Sequence, residues 1–295
     1  MPTMLNNPPP EKRPHPLEAR PTPPQPQEQP RQQVTLRIPT VRPLVMYAIL
    51  AINIVVFLIR ALSPEVDVSL LRAGANNASA VLQHGEYYRL LTSMFLHSSI
   101  YAPNGEYAFA NALHLIFNAY VIYGVGNYLE GIFGHTRFTL IYLLGGLAGS
   151  AASVVMTALV GEMNINSVGA SGAAFALIGA EFVYLYHHRK LFPQQARARM
   201  QGLIAFAAIN LLFGFVTSLG IGALRIDNWG HIGGLAGGLI LGWQISPIFL
   251  LRLHPENPKD FLAEDVNPLQ RKYAALSLYI AGLLGVLILG VYIAR

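Results

Sequence analysis

The 295-residue chain contains no cysteine. That excludes a disulfide framework, a thiolate nucleophile and a cysteine metal site. Charge is scarce too: 12% of residues are Asp, Glu, Lys or Arg, against about 25% in ordinary soluble domains. The only aspartates are Asp67, Asp227, Asp260 and Asp265, all outside the apolar runs, so no buried aspartyl pair is available for acid-protease chemistry. No HExxH occurs, which leaves zinc-type cleavage unsupported. What is abundant is apolar surface: 53% of residues, with a mean hydropathy of +0.41. Such a chain suits lipid as its main solvent. The net charge of +5 lies beside apolar runs. That is the pattern of membrane orientation, not of nucleic-acid binding.

Residues 1–43 hold 13 of the 20 prolines and almost no apolar run. They cannot bury enough surface to offset their ordering entropy and are expected to be disordered. They form an inert tail or a Pro-rich partner-binding segment, and they lack the apolar region of a secretory signal peptide. Seven segments approach the length of about 20 apolar residues that spans a hydrocarbon core: 44–62, 109–131, 138–160, 169–187, 200–222, 229–250 and 273–294. The expected architecture is an all-α, polytopic membrane helix bundle, with a core over 44–250 and a loop plus seventh helix over 251–295. The fourth segment is rich in Gly and Ala and is expected to be surrounded by the others. The long 63–108 loop is expected to pack at the interface. Lys and Arg concentrate in the tail and in the 2–3, 4–5 and 6–7 loops (Arg137; Arg189, Lys190, Arg197, Arg199; Arg252, Lys259, Arg271, Lys272). This excess predicts a cytoplasmic N-terminus and an external C-terminus.

"GASG" (169–172) places Ser171 at the outer end of the fourth helix. In the sixth, Gly230, Gly234, Gly238 and Gly242 recur every four residues and share one face. The fourth helix carries a matching stripe, Gly172, Ala176 and Ala180. Small residues at this spacing let two helices approach closely. If the stripes meet in register, Gly172 lies near Gly230, and Ser171 and His231 flank the contact. A serine hydroxyl needs a base to become a nucleophile. An imidazole can take that proton near neutral pH and return it to a leaving amine. Gly169 and Gly172 admit a substrate backbone. The helix start offers free N–H groups to an oxyanion. In the second helix, "HLIFN" places His114 and Asn118 four apart on one face at the same level. Both are candidate oxyanion donors.

Other polar residues are read as structural. Asp227 precedes His231 by four and is either a third triad member or, as favoured here, an N-cap leaving a Ser-His dyad. Phe175, one turn after Ser171, packs on the His231 ring or is a plain core aromatic. Glu130 and Arg137 are expected to form an ion pair or to snorkel. Glu181 has no assigned role. His187 and His188 adjoin Arg189 and Lys190 and are read as an interfacial anchor, not a metal site.

Together these residues resemble the rhomboid family of intramembrane serine proteases. "GASG" is similar to its nucleophile motif and "GHIGGLAGG" (230–238) to its base-bearing helix, with Gly234 and Gly238 as the close-packing pair. "HLIFN" (114–118) is similar to its oxyanion element. "YYRLLTSMFLH" (87–97) is similar to its first-loop segment, with Tyr88-Arg89 where the family has Trp-Arg. The chain departs at "SSIYAPNGEYAFANAL", which separates His97 from His114 and leaves the placement of His97 open. The resemblance implies a six-helix core plus one C-terminal helix. It also implies cleavage of single-span membrane proteins near the outer half of a bacterial cell membrane, without metal or other cofactor. The competing readings are a non-catalytic rhomboid-like factor that binds membrane clients, and a solute transporter with His114 and His231 in a proton path.

Overall fold

The computed structural model describes residues 35–102, 104–191, 193–219, 226–253 and 260–295. The expected disorder of the Pro-rich tail falls mostly on residues 1–34, outside the described residues. The chain is an all-α polytopic membrane bundle with small accessory strands.

The first helix, α1 (Leu44–Arg60), follows Pro43. Its opening N–H groups have no partner within the helix. Glu130 supplies one, accepting from Val45 N at 2.9 Å and Met46 N at 2.6 Å. A carboxylate there also suits the positive end of the helix dipole. Glu130 is fully buried and meets His135 Nδ1 at 2.5 Å. Arg137 instead donates to Asp265 Oδ2 at 2.7 Å and to Asn267 O at 2.6 Å. The expectation that Glu130 and Arg137 pair or snorkel is therefore wrong. Each is buried and engaged by a distant part of the chain.

The 63–108 loop is structured. Arg60 at the end of α1 pairs with Asp67 at 2.6 Å, both buried. Asp67 belongs to α2 (Pro64–Gly74), which Ser63 caps by accepting from Val66 N, with proline at the first helical position. Strand β2 (Asn76–Asn77) pairs antiparallel with β3 (Asn166–Ser167). A single π-turn at Ser79–Gln83 leads to α3 (Arg89–Thr92). Arg89 donates to Glu86 at 2.5 Å and to Ala75 O at 3.0 Å, and its hydrogen bond holds the Glu86 carboxyl below its ordinary pKa.

The expected second and third spans form one helical run, α4 (Ala112–Leu159), broken at Gly134. There φ is 76° and ψ 166°, a conformation that favours glycine. α5 (Ser171–His188), α6 (Pro193–Ser218), α7 (Asn228–Ile245) and α8 (Tyr273–Ile293) complete the bundle. α7 ends earlier than the apolar run suggests. Ser246 precedes Pro247, and a residue before proline is driven out of the helical region. The chain then forms β4 (Phe249–Leu253), antiparallel to β5 (Asp260–Asp265), with β1 (Thr35–Arg37) parallel on the other edge of β5.

α5 is the centre of the bundle, as expected of the fourth segment: Ala173 through Ala180 are all buried. It is sandwiched by α7 and the second arm of α4 across glycine. A side chain at Gly234 would strike the carbonyl oxygen of Gly172, and one at Gly238 that of Ala176. A Cβ at Gly149 of α4 would stand 2.7 Å from Gly230 O. Three helix backbones thus touch at one level, the level of Ser171. α8 lies against the second arm of α4, where Leu287 joins Val154, Val155 and Leu82 in a separate apolar cluster.

Candidate active site

Ser171 is the first residue of α5. The loop before it is pinned by Gly169 N, which donates to Ser93 O at 2.9 Å. Gly169 has φ 131°, and a Cβ there would lie 2.9 Å from both Nε2 and Cε1 of His114 and 3.7 Å from Ser171 Oγ. Only glycine meets both demands. Its missing side chain lets the Nε2 edge of His114 face the serine.

The protonation of His114 follows from its other edge. Ser98 N–H donates to His114 Nδ1 at 3.2 Å, and Ser98 Oγ lies 2.9 Å from the same atom. A backbone N–H can only donate, so Nδ1 is an acceptor and a neutral ring carries its proton on Nε2. That donor is the edge beside Gly169. His97 supports the ring from behind, edge-on at 5.3 Å between centroids and almost fully buried. Arg60 holds the His97 carbonyl at 2.5 Å. His97, whose placement the insertion left open, thus stands against His114. Within that insertion Asn111 Nδ2 donates to Ser99 O at 2.8 Å, and Tyr101 Oη to Ala61 O at 2.7 Å. The segment is thereby tied to the end of α1.

α7 is capped by Asp227, whose Oδ1 accepts from Gly230 N at 2.8 Å. Its Oδ2 accepts from Ser167 Oγ at 2.6 Å. Both carboxylate oxygens are thus engaged away from His231. His231 Nδ1 has no hydrogen-bond partner among the described residues. What holds the ring is Phe175, stacked at 4.3 Å with 7° between planes. The glycine register is the one anticipated: a Cβ at Gly172 would lie 3.4 Å from Gly230 O. Ser171 and His231 each adjoin that contact.

Asn118 is buried on the same helix as His114. Its Nδ2 donates to His114 O at 2.7 Å, within its own helix. One of its two amide hydrogens is thus committed. Sequence reasoning missed Ser98 and Ser167, which fix the tautomer of His114 and brace Asp227. Neither carries a local signal. It also left Glu181 without a role. Glu181 is fully buried and accepts from Arg199 Nε of α6 at 2.6 Å. His188 is structural: its Nε2 accepts from Phe249 N at 3.1 Å, and its Nδ1 lies 2.8 Å from Tyr184 O.

The Rhomboid domain profile matches residues 106–248, a span that contains His114, Asn118, Gly169, Ser171, Phe175, Asp227 and His231, while Ser93, His97 and Ser98 lie before it. The Rhomboid protease GluP of Bacillus subtilis is 34% identical over 198 residues, covering 67% of this chain and 34% of that protein. RHOMBOID-like protein 1 of Arabidopsis thaliana is 31% identical over 224 residues, 73% of this chain and 51% of that one. YdcA of Bacillus subtilis, named for the same family, is 30% identical over 195 residues, 66% of this chain and 85% of its own length. This chain belongs to the rhomboid family. The rhomboid match leaves α1, most of the 63–108 loop and α8 outside the family segment. This rhomboid spans between a third and about half of GluP and RHOMBOID-like protein 1.

Proposed function

We propose that this rhomboid is a serine endopeptidase that cleaves single-span membrane proteins near one face of the bilayer. One observation carries the reading. The glycine contact at Gly172 and Gly230 and the open backbone at Gly169 support it, because Ser171 and His231 adjoin that contact in sequence and His114 Nε2 borders Gly169. His231 Nε2 takes the proton of Ser171 Oγ as the oxygen attacks the scissile carbonyl. The resulting oxyanion is met by His114 Nε2–H and by N–H groups at the start of α5. The proton passes from His231 to the leaving amine, and the C–N bond breaks. Water, deprotonated by the same ring, then releases the acyl group from Ser171. Asn118 assists with its second amide hydrogen. A substrate helix shields its own peptide bonds, so segments with weak helix formers near the cut are the favoured substrates. The N-terminus is cytoplasmic and the C-terminus external, and the membrane is a bacterial cell membrane. The cationic loops at the end of the bundle opposite Ser171 support this orientation.

The test is cleavage of a panel of single-span proteins in liposomes, read together with labelling by a fluorophosphonate. Ser171→Ala is expected to lose on the order of 10⁶-fold in turnover and all labelling. Equal labelling of both proteins sinks the serine assignment. His114→Ala is expected to lose roughly 10²–10³-fold in kcat with little change in KM. Asn118→Ala is expected to lose less, because part of its amide is spent within its helix.

A further inference from the structure

The ends of α5 and α7 remote from Ser171 carry a second constellation. Beside their contact lies an open apolar groove lined by Phe182, Tyr186, Leu239, Ile240, Trp243 and Gln244. Trp243 is 61% exposed, Ile240 49% and Tyr186 39%, so the groove faces the surroundings of the bundle. In a membrane those surroundings are acyl chains. Aromatic residues here mark the level where hydrocarbon meets head groups.

The rim of the groove is cationic and polar. The Arg189 guanidinium lies 3.8 Å above the Tyr186 ring, and its Nη1 donates to Tyr186 O. Lys190 follows, exposed. The His187 ring packs on Trp243 at 4.9 Å. Two buried polar atoms beside the groove have no hydrogen-bond partner among the described residues: His187 Nδ1 and Oε1 of Gln244, a residue of the lining. Buried polar groups are rarely left unpaired. Four carboxylates whose side chains are described at this end are occupied. Glu181 is held by Arg199, Glu264 by Arg252, Glu130 by His135 and the start of α1, and Asp265 by Arg137 and backbone N–H groups.

We propose that this groove binds one anionic phospholipid whose head group carries hydroxyls. An acyl chain lies along Leu239, Ile240 and Phe182. The phosphate sits against Arg189 and Lys190 and accepts from His187 Nδ1. A head-group hydroxyl donates to Gln244 Oε1. The charge, the apolar track and the two orphan atoms then find complements in a single molecule. The site does not depend on any chemistry at Ser171.

Trp243 and Trp229 are the two tryptophans of the chain, so Trp229→Phe leaves a single reporter in the groove. The full-length Trp229→Phe protein is placed in phosphatidylcholine vesicles. These are doped with equal low fractions of dibrominated phosphatidylglycerol or dibrominated phosphatidylcholine. The glycerol lipid is expected to quench Trp243 more strongly, with an apparent affinity about 30-fold higher for two cations near the surface. R189Q/K190Q is expected to bring the two lipids level. Equal quenching in the parent protein, or an excess that survives R189Q/K190Q, overturns the proposal. So does loss of the excess on adding soluble glycerol 3-phosphate, which would mean a phosphate site with no use for the chain. Should R189Q/K190Q lose helicity by circular dichroism, Gln244→Met carries the same test. It removes the acceptor, keeps the apolar lining, and is expected to reduce the excess.

Discussion

The seam of α4, α5 and α7 and the helix α6 belong to one bundle but are built on opposite terms. In the seam, backbones touch, and even a methyl group at Gly234 or Gly238 has nowhere to go. On α6, Ile209, Leu212, Phe213 and Phe215 are each more than half exposed. A Cβ at Gly202 of α6 would meet nothing within 4 Å. α6 is tied instead by polar points. Arg199 reaches Glu181 near one end, and Asn228 Nδ2 donates to Leu211 O at 3.0 Å near the other. The contrast has a physical reason. Between membrane helices, association rests on close packing and hydrogen bonds, because lipid is as apolar as leucine. Close backbone packing fixes the relative depth of two helices, which a serine and its base require. A helix held at two polar points keeps its face in lipid and can shift for less.

The same substitution on the two sides breaks the comparison most sharply. Gly234→Ala must push the Gly172 carbonyl aside, and overpacking of this kind costs about 1–3 kcal/mol or more. It also moves Ser171 relative to His231, so cleavage is expected to fall with stability. Gly202→Ala is expected to be neutral or to stabilise by about 0.5–1 kcal/mol, because alanine loses less chain entropy in a helix. Thermal unfolding in detergent measures both. If the two variants melt together, the seam is not the rigid part of the molecule.

The polar tie of α6 gives a smaller effect. Arg199→Gln leaves the carboxylate of Glu181 buried without its cation. Loss of one partner from a fully buried pair costs about 3–5 kcal/mol, and the half-exposed Arg199 side chain lowers this to about 2 kcal/mol. The double change Glu181→Gln with Arg199→Gln is expected to recover much of the loss, because the stranded charge is gone. A double-mutant cycle on thermal stability in detergent tests the pairing, and strict additivity contradicts it.

Much of the seam was legible in the sequence, and almost none of the ties. Glycine every fourth residue in α7 and the small stripe of α5 define faces through helix geometry alone. The register of Gly172 on Gly230 followed from that, and the stack of Phe175 on His231 is one of the two readings that the sequence left open. Span ends were readable to within a few residues, except where Pro193 and Pro247 set them. The ties connect elements whose relative placement no local period encodes. Arg137 finds Asp265 across 128 residues, and Glu130 caps a helix 84 residues earlier. The strand β5 depends on β4 and β1, its partners on either side. The orientation of His114 depends on Ser98, within an insertion that has no periodicity to read.

Asp227 decides what holds His231, the proposed base, in place and carries the smallest effect. It stands four residues before His231, the spacing a triad would use, yet both its oxygens are engaged elsewhere. Oδ1 accepts from Gly230 N and Oδ2 from Ser167 Oγ. Asp227→Asn keeps an acceptor for Gly230 N, since asparagine caps helices about as well as aspartate. It puts an amide N–H toward Ser167 Oγ, which must then accept instead of donate, and it weakens the charge at the helix start, worth about 0.3–1 kcal/mol. Asp227→Ala removes the cap and is expected to cost about 1 kcal/mol. In both variants the seam and the Phe175 stack still hold His231, so kcat is expected to stay near the parent value while melting temperature drops slightly in the alanine variant. The readout is the ratio of kcat loss to stability loss across the pair. A kcat for Asp227→Asn as low as that of His231→Ala, with melting unchanged, would make Asp227 a triad member and the imidazole dependent on a carboxylate. The glycine seam would then position the helix but not the base.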